Sequence, residues 1–240
     1  MADPRLNYIS SNLEAMKIDP DETFRFHCTM CGKCCIHREY IILSPRDIFR
    51  MSAELSLSAE GLFRKYCEAY IGPDSRIPVV RLLPKGKAKR CPLLKNKKCM
   101  THNAKPAVCA MYPVGRALAA EKPGESLTDI SRSRMHYIFS NPGCGDDSET
   151  HTVRSWLESF GIPIPDVFYF KWQQAILDMS HLFRELEKNA GMETMHIAWT
   201  AAFAGIYLNY DMGTAFMPQF EKNTQGFFSM AESALKEWLK

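Results

Sequence analysis

Apolar residues recur at helical spacing through most of the C-terminal half, and that regularity breaks down in the middle of the chain. From Asp166 to about Asn189, the apolar positions include Phe170, Ile176, Leu177, Phe183 and Leu186, a long helix that Asp166 can cap and Gly191 can end. The stretch from Glu193 to about Tyr210 is apolar nearly all round, as expected for a helix central in a bundle. A last helix from about Phe227 to Trp238 presents Phe228, Met230, Ala231, Ala234, Leu235 and Trp238. Another is predicted from Ser148 or Thr150 to Gly161, before the rigid break at Pro163 and Pro165.

Nearer the N-terminus, Ser44 stands in a capping position with Pro45 at the first helical position, and Ile48 and Met51 would face inward. A second helix is predicted over Ser58 to Ile71, with Leu62, Phe63, Tyr66 and Tyr70 on one face and Gly72-Pro73 as its stop. Residues 1 to 25 read as an arm and Tyr40 to Leu43 as a short strand. Pro78, Pro84, Gly86, Pro92, Pro106 and Pro113 break residues 77 to 116 into loops and short extended pieces, residues 117 to 126 read as a surface turn, and Asn141 to Gly145 form a turn that could lay Cys144 back over the first part. The pattern predicts a mostly α protein, a helical bundle with a loop-rich cysteine-cluster region. It divides the chain into residues 1–145 and a helical region, 146–240, packed on the first as one unit.

With 240 residues the chain can bury a sizeable core without crosslinks. A net charge of +3 marks neither a general nucleic-acid binder nor an acidic tail. The N-terminus lacks the apolar run of a signal peptide, and the most apolar stretch, Met195 to Tyr210, is short and carries His196, Thr200 and Asn209. No membrane association is expected, and a cytoplasmic location follows. In that reducing setting, nine cysteines point to thiolate chemistry rather than to structural disulfides.

The densest chemistry is His27-Cys28-Thr29-Met30-Cys31-Gly32-Lys33-Cys34-Cys35. Cysteines separated by two residues can chelate one ion across a tight turn, and Gly32 can supply the turn geometry. Adjacent side chains diverge, so one of Cys34 and Cys35 should reach another metal atom or a later cysteine. Lys33 and Arg38 would favour the thiolate form, and His27 and His37 flank the run as candidate ligands or supporting donors. A second set, Cys91, Cys99 and Cys109, lies in the loop-rich segment, where ligation would give local order. Cys67 lies among Phe63 and Tyr70 and reads as a core residue.

The run resembles the bacterial and archaeal YkgJ-type cysteine-cluster family, named for zinc or iron chelation and for its C-x-x-C-x-x-C-C motif. The resemblance rests on Cys28, Cys31, Cys34 and Cys35, then Cys91, Pro92, Leu94 and Cys99, then Pro106, Cys109, Tyr112 and Pro113, and finally Cys144. Lys105 stands where the family usually has arginine. The resemblance implies a metal centre whose ligand set is drawn from Cys28, Cys31, Cys34, Cys35, Cys91, Cys99, Cys109 and Cys144. Flagellin lysine methylases, a related group, keep a methylase-like enzyme open, although the chain has neither a G-x-G-x-x-G turn nor a P-loop.

Eight candidate ligands exceed the four of one zinc site or one cubane, so two centres, or one centre with structural thiols, are expected. Clustered thiolates without regular zinc spacing favour an iron-sulfur cluster, of 4Fe-4S type, over zinc, with copper last. Expected partners are a redox partner or a small-molecule substrate, with Tyr112, His136, Tyr137, Tyr207 and Asp211 as candidate pocket residues. The stretch Lys85 to Lys98 holds seven basic residues and no acid. It could grip nucleic-acid phosphates or an acidic protein, although a solvated lysine loop is the plainer reading because no aromatic is interleaved for stacking.

Overall fold

The computed structural model describes residues 11–37, 39–120, 127 and 129–238, the last five of these by backbone alone. The first ten residues of the expected arm, Arg38, residues 121–126 of the expected turn, and the side chains of Ala234, Leu235 and Trp238 lie outside the described residues. No helix among the described residues is long and apolar enough to cross a membrane.

The structure corrects the expectation of a mostly α helical bundle: the fold is mixed, 47% helical and 21% strand, with four small sheets among the described residues. Two compact units interleave along the chain, one formed by Met1–Cys34 and Ala107–Asp166, the other by Cys35–Pro106 and Val167–Lys240.

The second unit holds the long helices. Pro45–Glu54 starts as its sequence predicts: Ser44 accepts from the Asp47 N–H while Asp47 accepts from the Ser44 N–H, a reciprocal cap that satisfies two otherwise orphaned donors. Ile48 and Met51 on its inner face are wholly buried. The next helix runs only from Ala59 to Tyr66. Its expected continuation is instead the strand Cys67–Ile71, paired antiparallel with Pro78–Leu82. The apolar spacing of Leu62, Tyr66 and Tyr70 suits a helix, but cross-strand pairing overrides it, and Pro78 is tolerated because it opens its strand.

Ile42–Leu43 completes that three-stranded sheet on the other edge of Pro78–Leu82. Helices Val167–Asn189, Met192–Phe203 and Phe216–Trp238 supply the rest of the unit, with a π-helical turn over Ala204–Leu208. Their common core includes Phe168, Trp172, Phe183, Tyr207, Phe220 and Phe227. The last helix begins eleven residues before the expected Phe227, where Phe216 and Phe220 stack on one another and meet Phe168 edge-on.

The first unit is built mainly of strands. Lys17–Ile18, Ser133–Phe139 and Val114–Ala120 form one antiparallel sheet. Asp146–Thr152 pairs with Thr23–His27 in another. The described part of the expected arm therefore enters both sheets, and Ala117–Ala120 is strand rather than turn. Residues 148–152, expected to open a helix, are strand, and Thr152 caps the short helix Val153–Glu158 that follows. The core of the unit centres on Phe24, Phe26, Trp156 and Leu157. Asp166, expected as a helix cap, is buried and receives Arg116 Nη1 at 2.9 Å, a pair that offsets the cost of burying either charge.

Candidate metal centre

The nine cysteines are all thiols rather than disulfide partners. The boundary between the units falls between Cys34 and Cys35, so the candidate ligands divide into Cys28, Cys31, Cys34, Cys109 and Cys144 in the first unit and Cys35, Cys91 and Cys99 in the second. Local geometry explains why neighbours separate. Lys33–Cys35 is a single 3₁₀ turn, in which successive side chains diverge by about 120° because a turn holds about three residues.

In the first unit, the strand Thr23–His27 delivers the run, anchored by Phe24 and Phe26 against Trp156. The chain then winds around Cys31 through two residues in left-handed conformation, Met30 at φ 50° and Gly32 at φ 74°. That winding turns backbone donors onto the exposed sulfur. The Lys33 N–H, foremost, with the Gly145 N–H and the Thr29 side chain, holds the Cys31 thiol below its ordinary value, against a smaller opposing effect of desolvation. Lys33 thus acts on the thiol through its backbone rather than as the neighbouring charge expected from the sequence.

Cys144 arrives from the turn before Asp146–Thr152 and is a hydrogen-bond partner of Cys31, with Cys34 near enough to interact electrostatically with both. Burial, first, and those two neighbouring sulfurs push the Cys144 thiol up, and Tyr112 partly opposes them. The Tyr112 hydroxyl donates to Pro142 O at 3.0 Å and lies 3.8 Å from Cys144 Sγ. Gly145 fixes this approach. It has φ +71°, and a Cβ there would lie 2.3 Å from His27 O and 2.8 Å from Phe26 Cε2. Cys28 packs against the first unit's core. Cys109 rides on the helix Ala107–Met111, pinned where Trp156 Nε1 donates to Met111 O at 3.0 Å.

In the second unit, Cys91 N donates to Cys35 O at 2.8 Å and His37 N to Ala88 O at 3.0 Å, so the end of the run lies alongside residues 88–91. Cys99 leaves the short hairpin Leu94–Lys95 and Lys98–Cys99, its sulfur 3.6 Å from Thr101 Oγ1. Cys67 stands apart in the core, on a strand rather than the expected helix, with its thiol pushed up to about 12 by burial.

Among the described residues, no three or more His, Cys, Asp or Glu side chains close into an arrangement that could hold a metal ion. Sulfur is nevertheless the donor type that zinc and iron-sulfur centres take, and Cys31 and Cys144 are hydrogen-bond partners with Cys34 near, without by themselves enclosing an ion. His27 has carboxylates at both ring nitrogens, Asp146 Oδ1 at 3.3 Å from Nδ1 and Glu149 Oε1 at 3.7 Å from Nε2, and His37 is exposed. Tyr137 and Tyr207 are core residues of different units, and Asp211 orders its own loop by accepting from the Gly213 N–H.

Residues 27–130 match the family model described as "CxxCxxCC: Putative zinc- or iron-chelating domain". The chain thus carries a segment similar to that family. No curated protein and no solved structure matches the chain. The matched segment takes in seven of the eight candidate ligands, and Cys144 lies beyond it. The contact of Cys144 with Cys31 is therefore a feature of the fold rather than of the matched motif. Sequence reasoning passed over Gly145 as a site residue, and the signal for it was the doubled glycine of Gly143-Cys144-Gly145.

Proposed function

We propose that this chain is a cytoplasmic metalloprotein whose CxxCxxCC domain, with Cys144, holds an iron-sulfur cluster through cysteine thiolates, zinc being the alternative metal. The observation that carries the reading is the contact of Cys31 with Cys144 across 113 residues of sequence, with Cys34 beside them. Sulfurs brought together from separate turns, in a family described as zinc- or iron-chelating, have metal ligation as their most economical use.

Cys31, Cys34 and Cys144 would be the principal ligands in the first unit, with Cys28 and Cys109 completing the set, while Cys35, Cys91 and Cys99 form the second. Bound iron-sulfur would supply one-electron redox chemistry, which zinc does not. The protein's own part is to hold Cys31 as thiolate through the Lys33 and Gly145 N–H groups and to fix Cys144 through Gly145 and Tyr112. Hydrogen bonds to cluster sulfurs are among the factors that set potential.

Elemental analysis with a visible spectrum, on protein prepared without oxygen, tests this directly. Iron with acid-labile sulfide and a brown colour that bleaches on reduction is the expected result. Colourless protein with stoichiometric zinc would select the alternative, and protein carrying no metal would end the proposal.

A further inference from the structure

In the first unit, the strand Thr23–His27 ends where its antiparallel partner Asp146–Thr152 begins, and the pairing of His27 with Asp146 sets the turn that carries Cys144 beside the turn that carries Cys31. The approach is held from both sides. The Gly145 N–H donates to the Cys31 sulfur, and the Cys31 and Cys144 side chains are themselves hydrogen-bond partners. The Tyr112 hydroxyl lies 3.8 Å from Cys144 Sγ while it donates to Pro142 O at 3.0 Å, which ties down the start of the Cys144 turn. Two thiols from distant parts of the chain are thus in side-chain contact.

Closing such a contact to an S–S bond of about 2.05 Å needs only a small movement of the two turns. Gly143, with nothing within 4 Å of where a Cβ would stand, leaves space for the Cys144 turn to make it. Access from solvent differs between the two sulfurs: Cys31 is exposed and Cys144 half-buried, so a reagent in solution reaches Cys31 first. Cys34 is the competing neighbour. It acts on Cys31 through charge, whereas Cys144 is in hydrogen-bond contact with it.

We infer that Cys31 and Cys144 are a redox-modification site, which closes to a reversible disulfide in the metal-free protein on reaction with a low-molecular-weight disulfide of the glutathione class. The step is two exchanges. The Cys31 thiolate attacks one sulfur of the oxidised reagent, forming a mixed disulfide and releasing one thiolate; the Cys144 thiolate then attacks the Cys31 sulfur, forming the protein disulfide and releasing the second. The two cysteines together lose two electrons, the reagent gains both, and the two protons of the protein thiols pass to the released thiolates. Disulfides inside a reducing cell are mostly transient and redox-sensing, and an accessible attacking thiol poised next to a resolving cysteine is the arrangement such sites share. The pairing needs no metal. Its consequence, the withdrawal of two thiolates from the centre, rests on the metal-binding reading above.

The test treats the reduced full-length protein, after a chelator, with oxidised glutathione in the absence of oxygen at about pH 8, where an ordinary thiol is partly thiolate, and maps the peptides by mass spectrometry. A loss of about 2 Da, two hydrogens, with Cys31 and Cys144 joined and the bond reversed by dithiothreitol, is the expected result. Cys144→Ser should stop at the mixed disulfide, with glutathione held on Cys31, and Cys34→Ser should form the same bond as the unaltered protein. Joining of Cys31 to Cys34, a scatter over several pairs, or glutathione retained on Cys31 of the unaltered protein would overturn the site. So would the same Cys31–Cys144 preference in urea, where the fold no longer brings the two together. The consequence is read separately: added zinc should restore less metal to the oxidised than to the reduced protein, and equal uptake would overturn the link to the centre. Protein that carries no metal before the chelator would end the metal-binding reading and leave the disulfide standing.

Discussion

The two units solve the problem of staying folded in different ways. Among the described residues, 23 buried apolar side chains of the second form one continuous core between long helices and a three-stranded sheet. Among the described residues of the first, 11 such side chains lie among short strands and short helices, and five candidate ligands share the unit with them. Burial stabilises roughly in proportion to apolar area removed from water, at about 25 cal/mol per Å², so the second unit has the larger reserve. The contrast predicts that metal ligation matters most to the order of the first unit, where turns carry all the candidate thiols except Cys109.

Unit-specific replacement of the ligands puts the largest effect on that contrast. Serine at Cys31, Cys34 and Cys144 together is expected to abolish metal binding in the first unit, while serine at Cys35, Cys91 and Cys99 removes only what the second holds. Metal per chain by mass spectrometry reads both, and full metal content in the first variant would show that the Cys31–Cys144 contact is mere packing.

Core truncation should do the reverse. Phe183 is wholly buried in the second unit, and Phe183→Ala is expected to cost about 3–5 kcal/mol in denaturant unfolding, while metal content of the folded protein stays unchanged. Loss of metal at conditions where the protein remains folded would erase the distinction.

A smaller effect belongs to Gly145. Its positive φ and the 2.3 Å approach of a Cβ to His27 O predict that Gly145→Ala destabilises by about 1–3 kcal/mol and lowers metal affinity by displacing Cys144. Gly143, also at positive φ but with no atom within 4 Å of a Cβ, is the control, expected to cost about 1 kcal/mol and to keep its metal. Equal loss of metal in the two variants would remove the argument from close approach.

The finest comparison is one of thiol reactivity. In metal-free, folded protein, the Cys31 thiol lies below its ordinary value and the Cys144 thiol above, while Cys67 is pushed up to about 12. A depressed thiol is deprotonated above its lowered value and loses the thiolate as pH falls through it. Alkylation followed by peptide mass mapping as pH rises should therefore label Cys31 first, Cys144 later and Cys67 last. Labelling of Cys144 before Cys31 would show that the N–H groups of Lys33 and Gly145 do not set the order.

Local signals were legible where they act within a turn or two of chain. The Ser44-Pro45 start, the inward Ile48 and Met51, the long helix before Asn189 and the spacing of Cys28, Cys31 and Cys34 each depend on neighbours three or four residues away, and each was read from those neighbours. The strands Cys67–Ile71, Val114–Ala120 and Asp146–Thr152 were missed for the opposite reason. Ala, Gly, Glu and Asp are poor strand formers, and these segments are held by partners at Pro78–Leu82, Ser133–Phe139 and Thr23–His27. Tertiary pairing decided them against local preference.

By itself the sequence determined that the chain carries a thiolate-rich motif and long amphipathic helices, because ligand type, spacing and helical period are properties of adjacent residues. Only the tertiary structure decided that the chain parts between Cys34 and Cys35, that Cys144 meets Cys31, and that glycine must stand at position 145. Those outcomes depend on which distant turns come into contact, and long-range contact is fixed by the packing of the whole chain rather than by any window of it.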